Sequence, residues 1–316
     1  MASFSNRTLI PRTVNGGTDV LEPRMYRSKN ARLTRRLRTH CAVAMLLTAD
    51  RTDLTPHAFV TRHADVFALF DATTQDSGNV SYGVRFGSER LFVKTAGSPR
   101  SQPVLSFDAR VALLRTAARL SRSVSDSTLP ALRNVVESAE GPLLVYDWVD
   151  GELLNTVAAR RTDPTSSFAR FRALEPNERA AALDTVFRLH VKLAERGWVA
   201  SDFYDGSLIY DFVRRHMYVV DLDSYRDAPF TNDMGRMFGS TRFMAPEEFE
   251  LGATIDERTT VFTLGRTVEQ FMSLGTPGLD RLVACACDPD PARRFQTVVE
   301  FHEAWSATVV GRLQPL

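Results

Sequence analysis

Gly239-Ser240-Thr241-Arg242-Phe243-Met244-Ala245-Pro246-Glu247 decides how this chain is read. Its last residue falls twenty-six positions after Asp221, which closes the apolar run His216-Met-Tyr-Val-Val, and Asp221 falls nineteen positions after Asp202. Downstream lie Asp256-Glu-Arg-Thr-Thr260-Val-Phe262-Thr-Leu-Gly265 and Asp290-Pro-Ala-Arg-Arg294-Phe. Upstream lie Ser77-Gly78-Asn79-Val80, Leu91-Phe92-Val93-Lys94 and Leu144-Val-Tyr146-Asp147-Trp-Val149-Asp-Gly. No single piece is decisive, since a lone aspartate after a strand is most often structural and one glycine before one lysine describes any hairpin. Their order and spacing carry the weight.

The pattern around these pieces changes along the chain. Val66–Phe70, Val80–Phe86 and Arg90–Thr95 are rich in valine and aromatic residues between Gly, Ser, Asn and Asp turns, which predicts strands. Phe107–Arg122 carries Val111, Leu114 and Ala118 at helical spacing. Leu143–Trp148 predicts a buried strand. Glu178–Gly197 stacks Leu183, Val186, Phe187, His190 and Leu193 on one face and closes on a glycine. Two short strands, Ser207–Asp211 and His216–Asp221, interrupt the helices, which resume at Thr259–Ser273, Leu279–Cys287 and Thr297–Ala307. A strand-rich first half and a helix-rich second half predict an α+β chain in two lobes.

Composition removes whole classes. The chain has 316 residues, 39 Lys+Arg against 38 Asp+Glu and 44% hydrophobic residues, which is globular and gives no reason to expect nucleic acid or an anionic membrane as partner. The longest apolar run, Cys41–Leu47, is far short of the roughly 20 residues a membrane span needs. Three cysteines build no disulfide framework, so the expected compartment is the reducing cytoplasm. Cys285 and Cys287 lie in an apolar helix and predict packing rather than a metal site, and His190 predicts a satisfied core residue. Residues 1–44 hold nine basic residues against Asp19 and Glu22, a composition open to a disordered extension, a nucleic-acid arm, a transit peptide or a start assigned too early. Only Lys29, Lys94 and Lys192 are lysine among the basic residues, and a retained lysine suits a compact point charge at a phosphate.

Taken together, the quoted pieces resemble the protein kinase family from Val66 to roughly Val310. The resemblance implies a bilobal α+β fold, with a small antiparallel sheet and one helix in the first lobe and a mainly helical second lobe. The implied boundaries are a basic extension over 1–60, disordered or partly helical, a first lobe over 61–146, and hinge plus second lobe over 147–316. It implies ATP and Mg²⁺ as cofactors and a hydroxyl-bearing protein as the second substrate. Gly78 and Val80 would end the glycine-rich loop and Lys94 would pair with the α- and β-phosphates. The Asp147 carbonyl and Val149 amide would read the adenine edge, with Tyr146 as gatekeeper. Asp202 would be the catalytic base, Asp221 and Ser207 would hold the metal, and Ser240 would contact Asp202. Glu247 and Arg294 would form a buried ion pair anchoring the segment between them.

The match departs from the family at definite positions. Ala200 and Ser201 replace His and Arg, Tyr204 replaces Lys, and Ser207 replaces Asn; Asp205 is close enough in sequence to compensate at the metal. Leu222 and Asp223 stand for Phe and Gly. The first two loop glycines would fall near Thr73 and Gln75. The glutamate that pairs with the strand lysine would fall near Leu113, yet no glutamate occurs between Glu89 and Glu137, and the helix offers only Asp108. Three readings follow: a Ser/Thr protein kinase, a pseudokinase using the fold as a binding module, and a small-molecule phosphotransferase. Asp221-Leu-Asp223 suggests the last, and Met244-Ala-Pro-Glu247 argues against it.

Overall fold

Successive side chains of a strand point to opposite faces, and the five strands in the first part of the chain carry apolar residues on both, so both faces of their sheet need a cover. The strands are β1 (Asp65–Phe70), β2 (Val80–Phe86), β3 (Glu89–Thr95), β4 (Leu132–Ser138) and β5 (Gly141–Asp147), in one antiparallel sheet of order β1-β2-β3-β5-β4. One face, bearing Tyr82, Val84, Leu91, Val93, Val136, Leu143 and Val145, is closed by Leu46, Ala49, Phe59 and Val60. The last two belong to helix α1 (Pro56–His63), whose N-terminus is capped by Thr55. The opposite face, bearing Leu144 with Leu132, Val135 and Tyr146, is closed by Leu114, Ala117 and Ala118 of helix α2 (Phe107–Ser123).

The computed structural model describes residues 45–74, 77–101 and 103–310; the basic segment 1–44, Cys41, Gln75 and the expectations attached to them lie outside the described residues. Residues 45–60, grouped above with the extension, are part of the sheet's core. The Asn134 amide nitrogen donates to the carbonyls of Leu46 at 3.0 Å and Ala49 at 2.9 Å, which fixes that segment to β4. Sequence reading found β1, β2, β3 and α2 to within a residue, β5 to within two, and missed β4 and α1.

The described residues form two compact units, one of 45–118 with 131–148, the other of 119–130 with 149–310. The second unit is built on helices α3 (Ser167–Arg172), α4 (Pro176–Ala194), α5 (Glu257–Phe271), α6 (Pro277–Ala286) and α7 (Val298–Val310). Their apolar faces share one core, with Leu183, Val186, Phe187, Leu264, Val268, Phe271, Leu282, Phe301 and Trp305 inside it. Asp256 caps α5, accepting from the Arg258 amide at 2.9 Å. A three-stranded antiparallel sheet of β6 (Glu152–Leu153), β8 (Leu208–Asp211) and β9 (His216–Val219) lies in this unit. Two antiparallel pairs join it: β7 (Trp198–Val199) with β10 (Arg226–Asp227), and β11 (Phe230–Thr231) with β12 (Thr254–Ile255). The chain is thus α+β with antiparallel sheets, as expected. No helix among the described residues is long and apolar enough to cross a membrane.

Candidate functional site

The loop carrying Asp202 is fixed from below. The Ala200 amide donates to the Thr260 hydroxyl of α5 at 3.0 Å, and Ser201 and Phe203 on either side of Asp202 are buried. Asp202 has φ 59° and Asp221 has φ 63°. Arg215 at φ 53° is the one other non-glycine residue in the left-handed region among the described residues. A side chain there carries strain that surrounding structure must hold, and such strain clusters at functional sites. Gly239, the first residue of the quoted stretch, lies against this loop: a Cβ added to it would sit 3.6 Å from Asp202 Oδ1. Loop and stretch are thereby neighbours, though thirty-seven residues apart in sequence.

Ser207 and Asp221 are brought together by the β8–β9 hairpin. Leu208 pairs with Val219, and the Val220 amide donates to the Ser207 carbonyl at 2.9 Å. The Ser207 hydroxyl is 1% exposed and has no hydrogen-bond partner among the described residues. Asp221 is exposed. A buried hydroxyl oxygen without a partner and an aspartate, one register position apart on the hairpin, are hard-oxygen donors of the kind Mg²⁺ takes when waters and phosphates supply the remaining ligands. The donor chemistry therefore fits the metal. No cluster of three or more His, Cys, Asp or Glu side chains suited to a metal occurs among the described residues.

Asp205 does not compensate at that pair. It is 0% exposed, and both of its oxygens accept from Arg242 Nη2, at 2.9 and 2.7 Å. Burial pushes its carboxyl up, and the charges of Arg242 and Arg161 pull against that. With both oxygens committed to a guanidinium, the carboxylate is spent on holding the quoted stretch against the Asp202 loop. Tyr204 lies over Gly206 with its ring centroid 6.5 Å from that of Phe243, so it packs as an aromatic within the loop.

The implied anchor is present. Arg294 Nη1 and Nη2 reach Glu247 Oε1 and Oε2 at 2.7 and 2.9 Å, and Thr259 donates to Oε1 at 2.8 Å. Next to it, burial and then the charges of Glu247 and Asp202 push the Glu248 carboxyl up to about 8, although Oε2 accepts the Ala245 amide at 2.7 Å.

His190 is the satisfied core residue that the sequence predicts. Its Nδ1 meets the Val186 carbonyl at 2.8 Å and its Nε2 the Tyr225 hydroxyl at 2.7 Å. The carbonyl can only accept, so the neutral ring carries its proton on Nδ1 and takes the phenol proton at Nε2. Burial lowers its pKa from 6.5 to about 4, so between those values the unfolded chain binds a proton the folded chain refuses. Stability is full above the upper value and is lost as pH falls toward the lower. Thermal unfolding followed from pH 7 to pH about 4.5 should show a fall in midpoint that is shallower in His190→Gln. Equal slopes would remove His190 from the account.

In the other unit, Lys94 stands on β3 opposite Ser81 and Leu144, which puts it on the face covered by α2. Val80 opens β2, where its carbonyl accepts the Thr95 hydroxyl at 2.7 Å. Gly78 has φ +78°, and a Cβ there would meet Pro103 Cγ at 2.3 Å, so the turn admits only glycine. Its carbonyl accepts from Arg110 of α2, a residue the sequence reading passed over. Asp147 ends β5 with its amide on the Ala131 carbonyl at 2.9 Å and its carboxylate on Arg133 at 2.9 Å. Val149 begins the return to the helical unit. Leu113, at the expected glutamate position, is half-buried on α2.

Thr260 and Arg242, quoted above within their motifs but given no role, and Arg110, which was passed over, shape the two regions: Thr260 holds the Ala200 amide, Arg242 holds Asp205 and Arg110 holds the Gly78 turn. The available signal for Arg110 was its place on the apolar face of α2, one turn before Leu114. Cys287 is tightly packed, with burial pushing its thiol up to about 12, and Cys285 is pushed up likewise. No protein-family model matches the chain, and no curated protein matches it.

Proposed function

We propose that the chain is a bilobal, protein-kinase-like phosphotransferase, a Ser/Thr protein kinase of the cytoplasm that moves the γ-phosphate of ATP to a protein hydroxyl. What supports this reading most is the placement of Asp202 and Asp221. Both occupy strained left-handed backbone, one beside the Gly239 stretch and one beside a buried, unpartnered Ser207 hydroxyl. Asp202 would take the proton of the acceptor hydroxyl on its carboxylate while orienting that oxygen. Asp221, with Ser207, would hold Mg²⁺, which supplies charge neutralisation on the phosphate oxygens. Lys94 would place a compact cation at the α- and β-phosphates. Gly78 and Val80, with the Asp147 carbonyl and Val149 amide, would bound the nucleotide.

The second reading is a pseudokinase that binds without turnover. Two observations favour it: Asp205 is locked to Arg242, and α2 carries four arginines and no glutamate. Transfer of γ-labelled phosphate by the full chain, to general protein acceptors and to small alcohols, separates the two. Label on protein upholds the kinase, label on an alcohol moves the function to small molecules, and no label from a folded protein that binds ATP upholds the pseudokinase.

A further inference from the structure

The strand-and-helix unit holds a buried cation that the proposed chemistry does not use. Arg110 is 1% exposed. Its Nη1 donates to the carbonyls of Gly78 and Ala96, and its Nη2 to the Ser98 carbonyl at 3.1 Å and the Ser101 hydroxyl at 3.3 Å. Its Nε is buried with no partner among the described residues. Among the described residues no carboxylate pairs with it, and the one acid of its helix, Asp108, is exposed. The turn it grips is packed to the limit, since a Cβ on Gly97 would fall 2.2 Å from the Gly78 carbonyl oxygen.

Hydrogen bonding alone does not explain a charged residue here. Carbonyls and a hydroxyl satisfy the Nη donors and the Phe107 ring centroid lies 5.5 Å from the guanidinium carbon, but no full counter-charge meets the positive charge, and an anion nearby would lower the cost of keeping it out of water. An arginine does not escape by losing its proton. The charge sits between the Gly78 turn and Ala96, two residues beyond Lys94, so it acts on whatever occupies that end of β2 and β3.

Resting on the nucleotide reading above, we propose that Arg110 supplies the counter-charge for the polyphosphate of ATP, so that this chain binds the metal-free nucleotide as well as its Mg²⁺ complex. Free ATP carries more negative charge than the complex, and a fixed buried cation favours the more highly charged form because little solvent screens it.

The test is ATP displacement of a fluorescent ATP analogue from the full chain, in excess Mg²⁺ and in EDTA, for wild type, Arg110→Gln and Arg110→Lys. Wild-type affinity in EDTA should be within about threefold of that in Mg²⁺, or tighter, and should weaken as salt is raised. Arg110→Gln should lose about tenfold or more in EDTA and far less in Mg²⁺, while Arg110→Lys should keep the wild-type ratio. A wild type that binds only with Mg²⁺ overturns the proposal and leaves the nucleotide reading intact, as does an Arg110→Gln that matches wild type in EDTA. A folded wild type that binds under neither condition overturns both. Should Arg110→Gln not fold, wild type and Arg110→Lys decide: equal ratios uphold the proposal, and a lysine variant that requires Mg²⁺ overturns it.

Discussion

Asp202→Asn should lower phosphoryl transfer by about 10²–10⁴-fold, the range by which a positioned general base contributes, while nucleotide affinity stays near wild type. The asparagine keeps the side chain's shape beside Gly239 and the left-handed backbone, for which asparagine is well suited, so folding is undisturbed. What it loses is a group able to take the acceptor proton. Lys94→Ala should behave differently, weakening nucleotide binding as well as turnover, because in the proposed function its charge acts on the ground-state phosphates. Initial rates with γ-labelled ATP and an affinity measurement on each variant check both. An Asp202→Asn enzyme within a few-fold of wild type would remove Asp202 from the chemistry.

Glu247→Ala should be the most destabilising single change in the helical unit, by about 3–5 kcal/mol, because it strands a buried guanidinium. Arg294 is 0% exposed at its side chain and Glu247 8%, and the guanidinium also reaches the carbonyls of Arg258 at 3.0 Å and Asp288 at 2.8 Å. Those carbonyls cannot replace the lost charge. For a domain of this size the unfolding midpoint should fall on the order of 10 °C. Glu247→Met with Arg294→Met should recover much of the loss, since removing both charges removes the desolvation penalty along with the attraction. Thermal unfolding of the single and double variants measures the coupling. A single variant within 2 °C of wild type would mean the pair contributes no more than a surface contact.

Much of this was legible in the sequence where the signal is local. Helix α2 announces itself through Val111, Leu114 and Ala118, and β2 and β3 through dense valine and phenylalanine. Glu247 and Arg294 were legible through their surrounding motifs despite lying far apart. β4 was not, because Leu132-Arg-Asn-Val-Val-Glu-Ser is mostly polar and becomes a strand only by pairing with β5. Nor was the closing of the sheet by Leu46, Ala49, Phe59 and Val60, since the apolar run that ends at Leu47 follows directly on a basic stretch and nothing local says which strands it will cover. At the site, Asp202, Ser207 and Asp221 could be named from their order along the chain. The capture of Asp205 by Arg242 could not, because the partner lies on a separate segment and an aspartate beside a candidate metal ligand reads as another ligand. Arg110 was hidden for the opposite reason: an arginine on a helix is normally solvated, and only the fold reveals that this one faces inward.

The tie between Asn134 and residues 46–49 spans 88 and 85 positions of chain. During synthesis the cover of the sheet emerges first and the strand that receives it emerges only after β1, β2, β3 and α2, with β5 following it. At the roughly 5–20 residues per second of translation, that leaves several seconds in which Tyr82, Val84, Leu91 and Val93 exist without their complete enclosure. Closing so long a loop is entropically late, and such non-local pairing slows folding. The sheet of this unit therefore completes its enclosure late in the life of the newborn chain.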